Sequence, residues 1–214
     1  MNAQELTQRL RLYLVTDRRL AQGRGEEEVV TAALAGGVTA VQLRGKEMST
    51  RELVAVGERL REITRRAGAL FLVNDRLDVA LAVEADGVHL GQDDLPLDRA
   101  RRLAGRRFII GISAENPREA QEAEAGGADY IGAGTVFPTG TKPDAGRPIG
   151  LEGLAAIVAA VKIPVVAIGG INAANAAAVL KTGAAGIAVV SAIVAAPDVT
   201  AAAAELRHLL GDGH

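Results

Sequence analysis

The stretch AGGVTAVQLRGK, residues 35–46, decides the fold. A double glycine stops a helix, an apolar run over Ala40–Arg44 follows three residues later, and that run ends in polar side chains with Lys46 just beyond. The same order recurs in VEADGVHLG (residues 83–91), AGGADYIGAG (125–134) and TGAAGIAVVS (182–191). Such a recurrence is expected when similar βα units close on one another.

Working outward, eight strand-like runs appear: Leu12–Thr16, Ala40–Arg44, Leu70–Asn74, Gly87–Leu90, Ile109–Ser113, Tyr130–Ala133, Val165–Ile168 and Gly186–Val190. Helical stretches separate nearly all of them: Glu26–Ala35, Arg51–Ala67, Arg76–Val83, the short Leu97–Leu103, Pro117–Ala125, Leu151–Val161, Asn172–Thr182 and Val199–Leu210. Ser49 with Glu52 forms a capping-box pattern, and Asn116-Pro117 with Glu119 supplies an N-cap, a first-turn proline and an acidic first turn. Gly36-Gly37, Gly68, Gly126-Gly127 and Gly183 read as helix stops. Alternating strand and helix predicts a parallel sheet. An open doubly wound sheet gathers its ligand groups at one switch point, whereas here the second, third, fourth, fifth and eighth runs all end in polar groups. The expectation is therefore an α/β fold, one (β/α)8 TIM barrel making a single domain of residues 1–214.

Composition narrows the function. Hydrophobic residues make up 49% and aromatics 2%, so the core has to be aliphatic. The absence of cysteine excludes disulfides, thiol nucleophiles and thiolate metal sites. Lys and Arg number 24 against 26 Asp and Glu, which gives no reason to expect nucleic acid. Residues 1–11 lack the apolar core of a signal peptide, and no apolar run reaches membrane-spanning length, so a cytoplasmic protein without a membrane partner is expected. Exposed apolar helix faces are compatible with a homodimer, but nothing in the pattern specifies one.

Strand alternation directs Val41 and Leu43 toward helices and Gln42 and Arg44 toward the barrel axis. With Lys46 past the strand end, two cations and an amide at the rim make a site for a diphosphate, unless the two cations are simply solvated surface charges. Asp75 and Asp94 follow adjacent strands. Two carboxylates without thiolate or paired histidine ligands suit Mg²⁺ shared with substrate phosphates, although capping the next helix is the commoner job of a lone Asp. His89 lies in phase with Gly87 and Gly91 and reads as a packed histidine rather than a catalyst. The loop GTVFPTGTKPDAGRPIG (residues 134–150) has the length of a functional lid, with Thr139, Thr141 and Lys142 able to close on a ligand. Glycine-rich IGGIN after the seventh strand and VVSAI after the eighth occupy the usual phosphate corner, where amides of Gly169–Ile171 and Val190–Ala192 meet phosphate oxygens.

In this order and spacing, VQLRGK, VNDRLDVALAVEADGVHLGQDD, GIS, GTVFPTGTK, AIGGI and VVSAI resemble the thiamine phosphate synthase family. The resemblance implies a TIM-barrel transferase of thiamine biosynthesis. It would join 4-amino-5-hydroxymethyl-2-methylpyrimidine diphosphate to 4-methyl-5-(2-phosphoethyl)thiazole. It implies a pyrimidine diphosphate site from Gln42, Leu43, Arg44, Gly45, Lys46, Asn74, Ser113 and Lys142, with Arg44, Lys46, Ser113 and Lys142 closest to the chemistry. Asp75 and Asp94 would hold Mg²⁺, and Thr139, Gly140, Thr141, Gly170, Val190 and Ser191 would take the thiazole phosphate. The family's usual course is dissociative, with diphosphate leaving before the thiazole nitrogen attacks.

One departure stands out. Many members carry a histidine-containing pair after GxS, whereas Ala114-Glu115 occurs here. The related thiazole tautomerases depend on that histidine and are degenerate at the metal and diphosphate motifs, so this chain shows the reverse pattern. A non-catalytic sensor of a phosphorylated metabolite would need the glycine turns but not the carboxylates and cations. Another phosphate-binding barrel, such as an isomerase of amino-acid biosynthesis, would need a facing acid–base pair, which the sequence does not show.

Overall fold

The computed structural model describes residues 1–141 and 147–211. Its strands are β1 (Leu12–Val15), β2 (Ala40–Leu43), β3 (Leu70–Asn74), β4 (Gly87–Leu90), β5 (Ile109–Ala114), β6 (Tyr130–Ala133), β7 (Val165–Ile168) and β8 (Gly186–Val189). All pair in parallel with their sequence neighbours, and β8 pairs with β1 to close the barrel. The helices are α1 (Ala3–Arg9), α2 (Glu26–Ala35), α3 (Thr50–Ala67), α4 (Leu77–Ala82), α5 (Leu97–Ala104), α6 (Pro117–Ala125), α7 (Gly150–Ala160), α8 (Ala176–Leu180), α9 (Ser191–Val194) and α10 (Val199–Leu210). None of the described helices is long and apolar enough to cross a membrane.

Two apolar layers follow from strand alternation. Leu12, Leu14, Val41, Leu43, Phe71 and Val73 face outward and pack with the helices. Tyr13, Val15, Ala40, Leu70, Leu72, Tyr130, Val166 and Ala188 fill the barrel interior. Helix α1, which the sequence reading passed over as a polar start, closes the amino-terminal end of the barrel by adding Leu6 and Leu10 to that interior layer. Its start is signalled locally, because Asn2 Oδ1 accepts from the Glu5 amide at 2.8 Å.

The expected caps form. Ser49 and Glu52 make a reciprocal capping box on α3, which ends at Gly68 with φ 68°. Asn116 caps α6 through the Glu119 amide at 3.0 Å. Helix α8 is shorter than its apolar period suggests. Asn172 Oδ1 accepts from the Ala174 amide and Asn175 Oδ1 from the Asn172 amide, both at 2.9 Å, so local side-chain bonds displace the first helical turn. The short helices at Arg18–Leu20 (a 3₁₀ turn) and α9 also lay outside the periodic pattern.

The interior accommodates two tyrosines and a histidine because small residues face them. A Cβ on Gly132 would lie 2.6 Å from His89 Cε1, and one on Gly111 would overlap the ring of Tyr130. Glycine is therefore required at both positions by volume.

Candidate active site

The carboxyl ends of the strands surround a cavity of about 440 Å³. Its walls are built strand by strand. Strand β2 contributes Gln42 and leads into Arg44 and Lys46, β3 ends in Asn74 and Asp75, and the loop after β4 supplies Gln92, Asp93 and Asp94. Ser113 enters from β5, Thr139 and Thr141 from the loop after β6, Gly169–Ile171 from the turn after β7, and Val190 and Ser191 from the end of β8. One mouth thus gathers side chains from almost the whole ring.

The cations are placed by carboxylates. Arg44 Nη1 lies 3.4 Å from Asp17 Oδ2, with the two side chains only 13% and 3% exposed, so Arg44 is not a solvated surface charge. Asp17 also accepts from the Arg19 amide at 3.0 Å and from Arg19 Nη2 at 2.8 Å. The hydrogen bonds from Arg19 hold its carboxyl below the usual carboxylate range against the effect of burial, and the charges of Arg19 and Arg44 add to this. Lys46 Nζ sits 3.4 Å from Asp75 Oδ2.

Neither Asp75 nor Asp94 caps a helix: α4 begins after Arg76 and α5 after Pro96, both without a side-chain cap. Asp75 instead has φ 61°, a left-handed backbone that Asp tolerates better than most residues. Its carboxyl is pushed above the usual range by burial and by a hydrogen bond with Asp94, with Lys46 acting in the opposite direction. Asp94 Oδ2 is steadied by the Gly91 amide at 2.7 Å. A partly buried carboxylate couple of this kind offers hard oxygen ligands to a divalent cation. Among the described residues no cluster of three or more His, Cys, Asp or Glu could enclose a metal unaided. An ion at the couple would have to complete its shell with water or substrate oxygens.

The opposite wall is made of backbone. Gly169 and Gly170 adopt φ 103° and 65°, and Asn175 Nδ2 donates to Gly170 O at 2.9 Å, which pins the turn. The base of the long loop lies against it, with Val136 N donating to Ile168 O at 2.9 Å and Phe137 N to Gly169 O at 3.0 Å. After β8 the single-turn α9 starts at Ser191, and the first amides of a helix have no partner within it.

Of the residues expected from the sequence, Gln42, Arg44, Lys46, Asn74, Asp75, Asp94, Ser113, Thr139, Thr141, Gly170, Val190 and Ser191 line this one cavity. Leu43 does not. Its side chain is fully buried in the outward layer with the helices, as the alternation around it requires. Gly45 and Gly140 also stand outside the lining, and Lys142 lies outside the described residues. His89, read from the sequence as a packed histidine, also lines the cavity, with Nδ1 2.9 Å from Tyr130 Oη and Nε2 3.0 Å from Ser113 Oγ. Tyr13, Tyr130 and Asp17 were not anticipated, and Glu115, noted in the sequence only as a departure from the family, lines the cavity. The two tyrosines were detectable in principle, as the only Tyr in the chain at inward strand positions.

A closed parallel barrel whose carboxyl-terminal mouth sets cations and a carboxylate couple opposite glycine-turn amides defines a TIM-barrel enzyme suited to phosphorylated substrates. The family model for thiamine monophosphate synthase matches residues 12–193, and the chain belongs to that family. It is 59% identical over 199 residues to the thiamine-phosphate synthase of Moorella thermoacetica, covering 93% of this chain and 95% of that protein. It is 57% identical over 205 residues to that of Pyrococcus furiosus, covering 96% and 97%. The solved thiamine phosphate pyrophosphorylase from Pyrococcus furiosus superposes with a TM-score of 0.90 at 56% identity, covering 96% of this chain and 97% of that one.

Proposed function

We propose that this chain catalyses the condensation of 4-amino-5-hydroxymethyl-2-methylpyrimidine diphosphate with 4-methyl-5-(2-phosphoethyl)thiazole, giving thiamine phosphate and diphosphate. The observation that supports it best is that one cavity is lined both by cationic side chains beside a carboxylate couple and, in a separate part, by glycine-turn backbone. Arg44, Lys46 and the Asp75–Asp94 couple stand on one side, and the Gly170 and Ser191 turns on the other. Two phosphorylated substrates require such a division, because each is anchored by its own anion while the reacting carbon and nitrogen meet between them.

In this reading the bond from the pyrimidine methylene carbon to the diphosphate oxygen breaks, and its electron pair leaves with the diphosphate. The thiazole nitrogen then forms the new C–N bond with its lone pair, so no base has to remove a proton. Negative charge grows on the departing group, and Arg44 and Lys46 bind that charge more strongly in the transition state than in the ground state. Lys142 belongs to the same proposal through the family resemblance. Asp75 and Asp94 would hold Mg²⁺, which when bound neutralises diphosphate charge. Gln42, Asn74 and Ser113 would orient the pyrimidine, and Thr139 and Thr141 would cover the thiazole phosphate. The charged substrates do not cross membranes unaided, which supports a cytoplasmic site of action.

The test is a product assay with the purified protein, both substrates and Mg²⁺, omitting each component in turn. Thiamine phosphate should form only in the complete mixture. Folded protein that yields no product there would overturn the proposal.

A further inference from the structure

Five polar side chains form an unbroken line across the barrel interior. Gln42 Nε2 donates to Tyr13 Oη at 2.7 Å, and the hydroxyls of Tyr13 and Tyr130 lie 3.0 Å apart. Tyr130 Oη is 2.9 Å from His89 Nδ1, and His89 Nε2 is 3.0 Å from Ser113 Oγ. The members come from β2, β1, β6, β4 and β5, so the line spans the barrel rather than following its wall. Gln42 is 4% exposed, and Tyr13 and Tyr130 are 1% and 0% exposed.

Burial gives the line a direction. A phenol without access to water must place its one hydrogen on a neighbour in the line or leave it unsatisfied, at about 1–3 kcal/mol. Burial also keeps both phenols protonated, raising Tyr13 to about 12 and Tyr130 well above its ordinary value. With Gln42 donating to Tyr13, the Tyr13 hydrogen passes to Tyr130 and the Tyr130 hydrogen to His89 Nδ1. Accepting at Nδ1, the imidazole carries its hydrogen on Nε2 and donates to Ser113 Oγ. Ser113 is left with its own hydrogen to offer the cavity, while Gln42 keeps Oε1 as an acceptor.

We propose that Tyr13, Tyr130 and His89 are positioning residues that hold Ser113 as a hydrogen-bond donor and Gln42 as an acceptor on the cavity floor. That pair of roles selects one orientation of an aminopyrimidine ring lying between them. The exocyclic amine gives a hydrogen to Gln42 Oε1, and a ring nitrogen accepts from Ser113. A ring turned the other way sets donor against donor and acceptor against acceptor. The ligand assignment rests on the substrate reading given above, whereas the direction of the line does not.

Nitrogen-15 histidine spectra of the full chain without ligand test the direction, with His89→Gln identifying the His89 signals by their loss. Wild-type protein should show His89 in the Nε2–H tautomer, and Tyr130→Phe, which removes the hydrogen given to Nδ1, should abolish that preference. In the product assay Tyr130→Phe should lower kcat/KM for the pyrimidine diphosphate about tenfold, the effect of one lost hydrogen bond, and leave KM for the thiazole phosphate unchanged. A wild-type Nδ1–H tautomer overturns the proposal, as does an unaltered His89 spectrum in Tyr130→Phe. So does an equal rise in KM for both substrates. If Tyr130→Phe does not fold, the wild-type spectrum decides the direction, and Tyr13→Phe, which removes the preceding link, provides the kinetic comparison. The expected tautomer in a protein without synthase activity would refute the substrate reading and leave the relay standing.

Discussion

Asp17→Asn isolates one charge at the edge of the site. The variant keeps a side-chain oxygen that can accept from the Arg19 amide, so the cap of the Arg18–Leu20 turn survives. What disappears is the negative charge facing Arg19 and Arg44. The Arg19 side chain is 47% exposed and can return to water, so it adds little. Arg44 is 13% exposed and loses its carboxylate, which costs about 1–2 kcal/mol. That loss should lower the urea midpoint at pH 7 by about 0.5–1 M for a slope near 2 kcal/mol/M. The pH dependence carries a definite sign. The folded-state carboxyl of Asp17 lies below its unfolded value. Its contribution is therefore complete above about pH 4 and is lost as pH falls through the folded value. The gap between wild type and variant should stay constant from pH 7 to pH 5 and narrow below about pH 4. KM for the pyrimidine diphosphate should rise as well, because Arg44 is no longer held. Coincident urea midpoints at pH 7, or a gap of the same size at pH 3.5, would refute the reasoning.

Three further outcomes are expected. Asp75→Ala and Asp94→Ala should each abolish Mg²⁺-dependent product formation while far-UV circular dichroism stays native, and near-normal rates would remove the metal assignment. Lys46→Ala should lower kcat by roughly 10²–10³, the usual loss for one preorganised charge at a developing anion, with steady-state kinetics as the check. Gly132→Ala drives a methyl group to within 2.6 Å of His89 Cε1 and should destabilise the fold by about 1–3 kcal/mol in thermal or urea unfolding, so an unchanged midpoint would mean the ring moves freely.

Much of the architecture was legible because it is encoded over short distances. Short apolar strand runs, the Ser49–Glu52 and Asn116–Glu119 caps and the glycine stops are all local signals, and each led to the element found. Errors arose where local bonding competed with periodicity, as at Asn172 and Asn175 ahead of α8. A helix whose purpose is tertiary also escaped, namely α1, with Leu6 and Leu10 inside the barrel. The site was legible as a set of rim residues, because side chains just past strand ends share one mouth in any closed parallel barrel.

The chain by itself determined the barrel, the family pattern and the rim positions of Arg44, Lys46, Asp75 and Asp94, since each is written in local spacing. Only the folded molecule decided that Asp17 restrains Arg44 and that Asp75 and Asp94 meet as a couple. It also decided that His89 belongs to a line running from Gln42 to Ser113. Those facts depend on residues up to 117 positions apart, as Tyr13 and Tyr130 are, and such contacts exist only once ring closure has brought distant strands together.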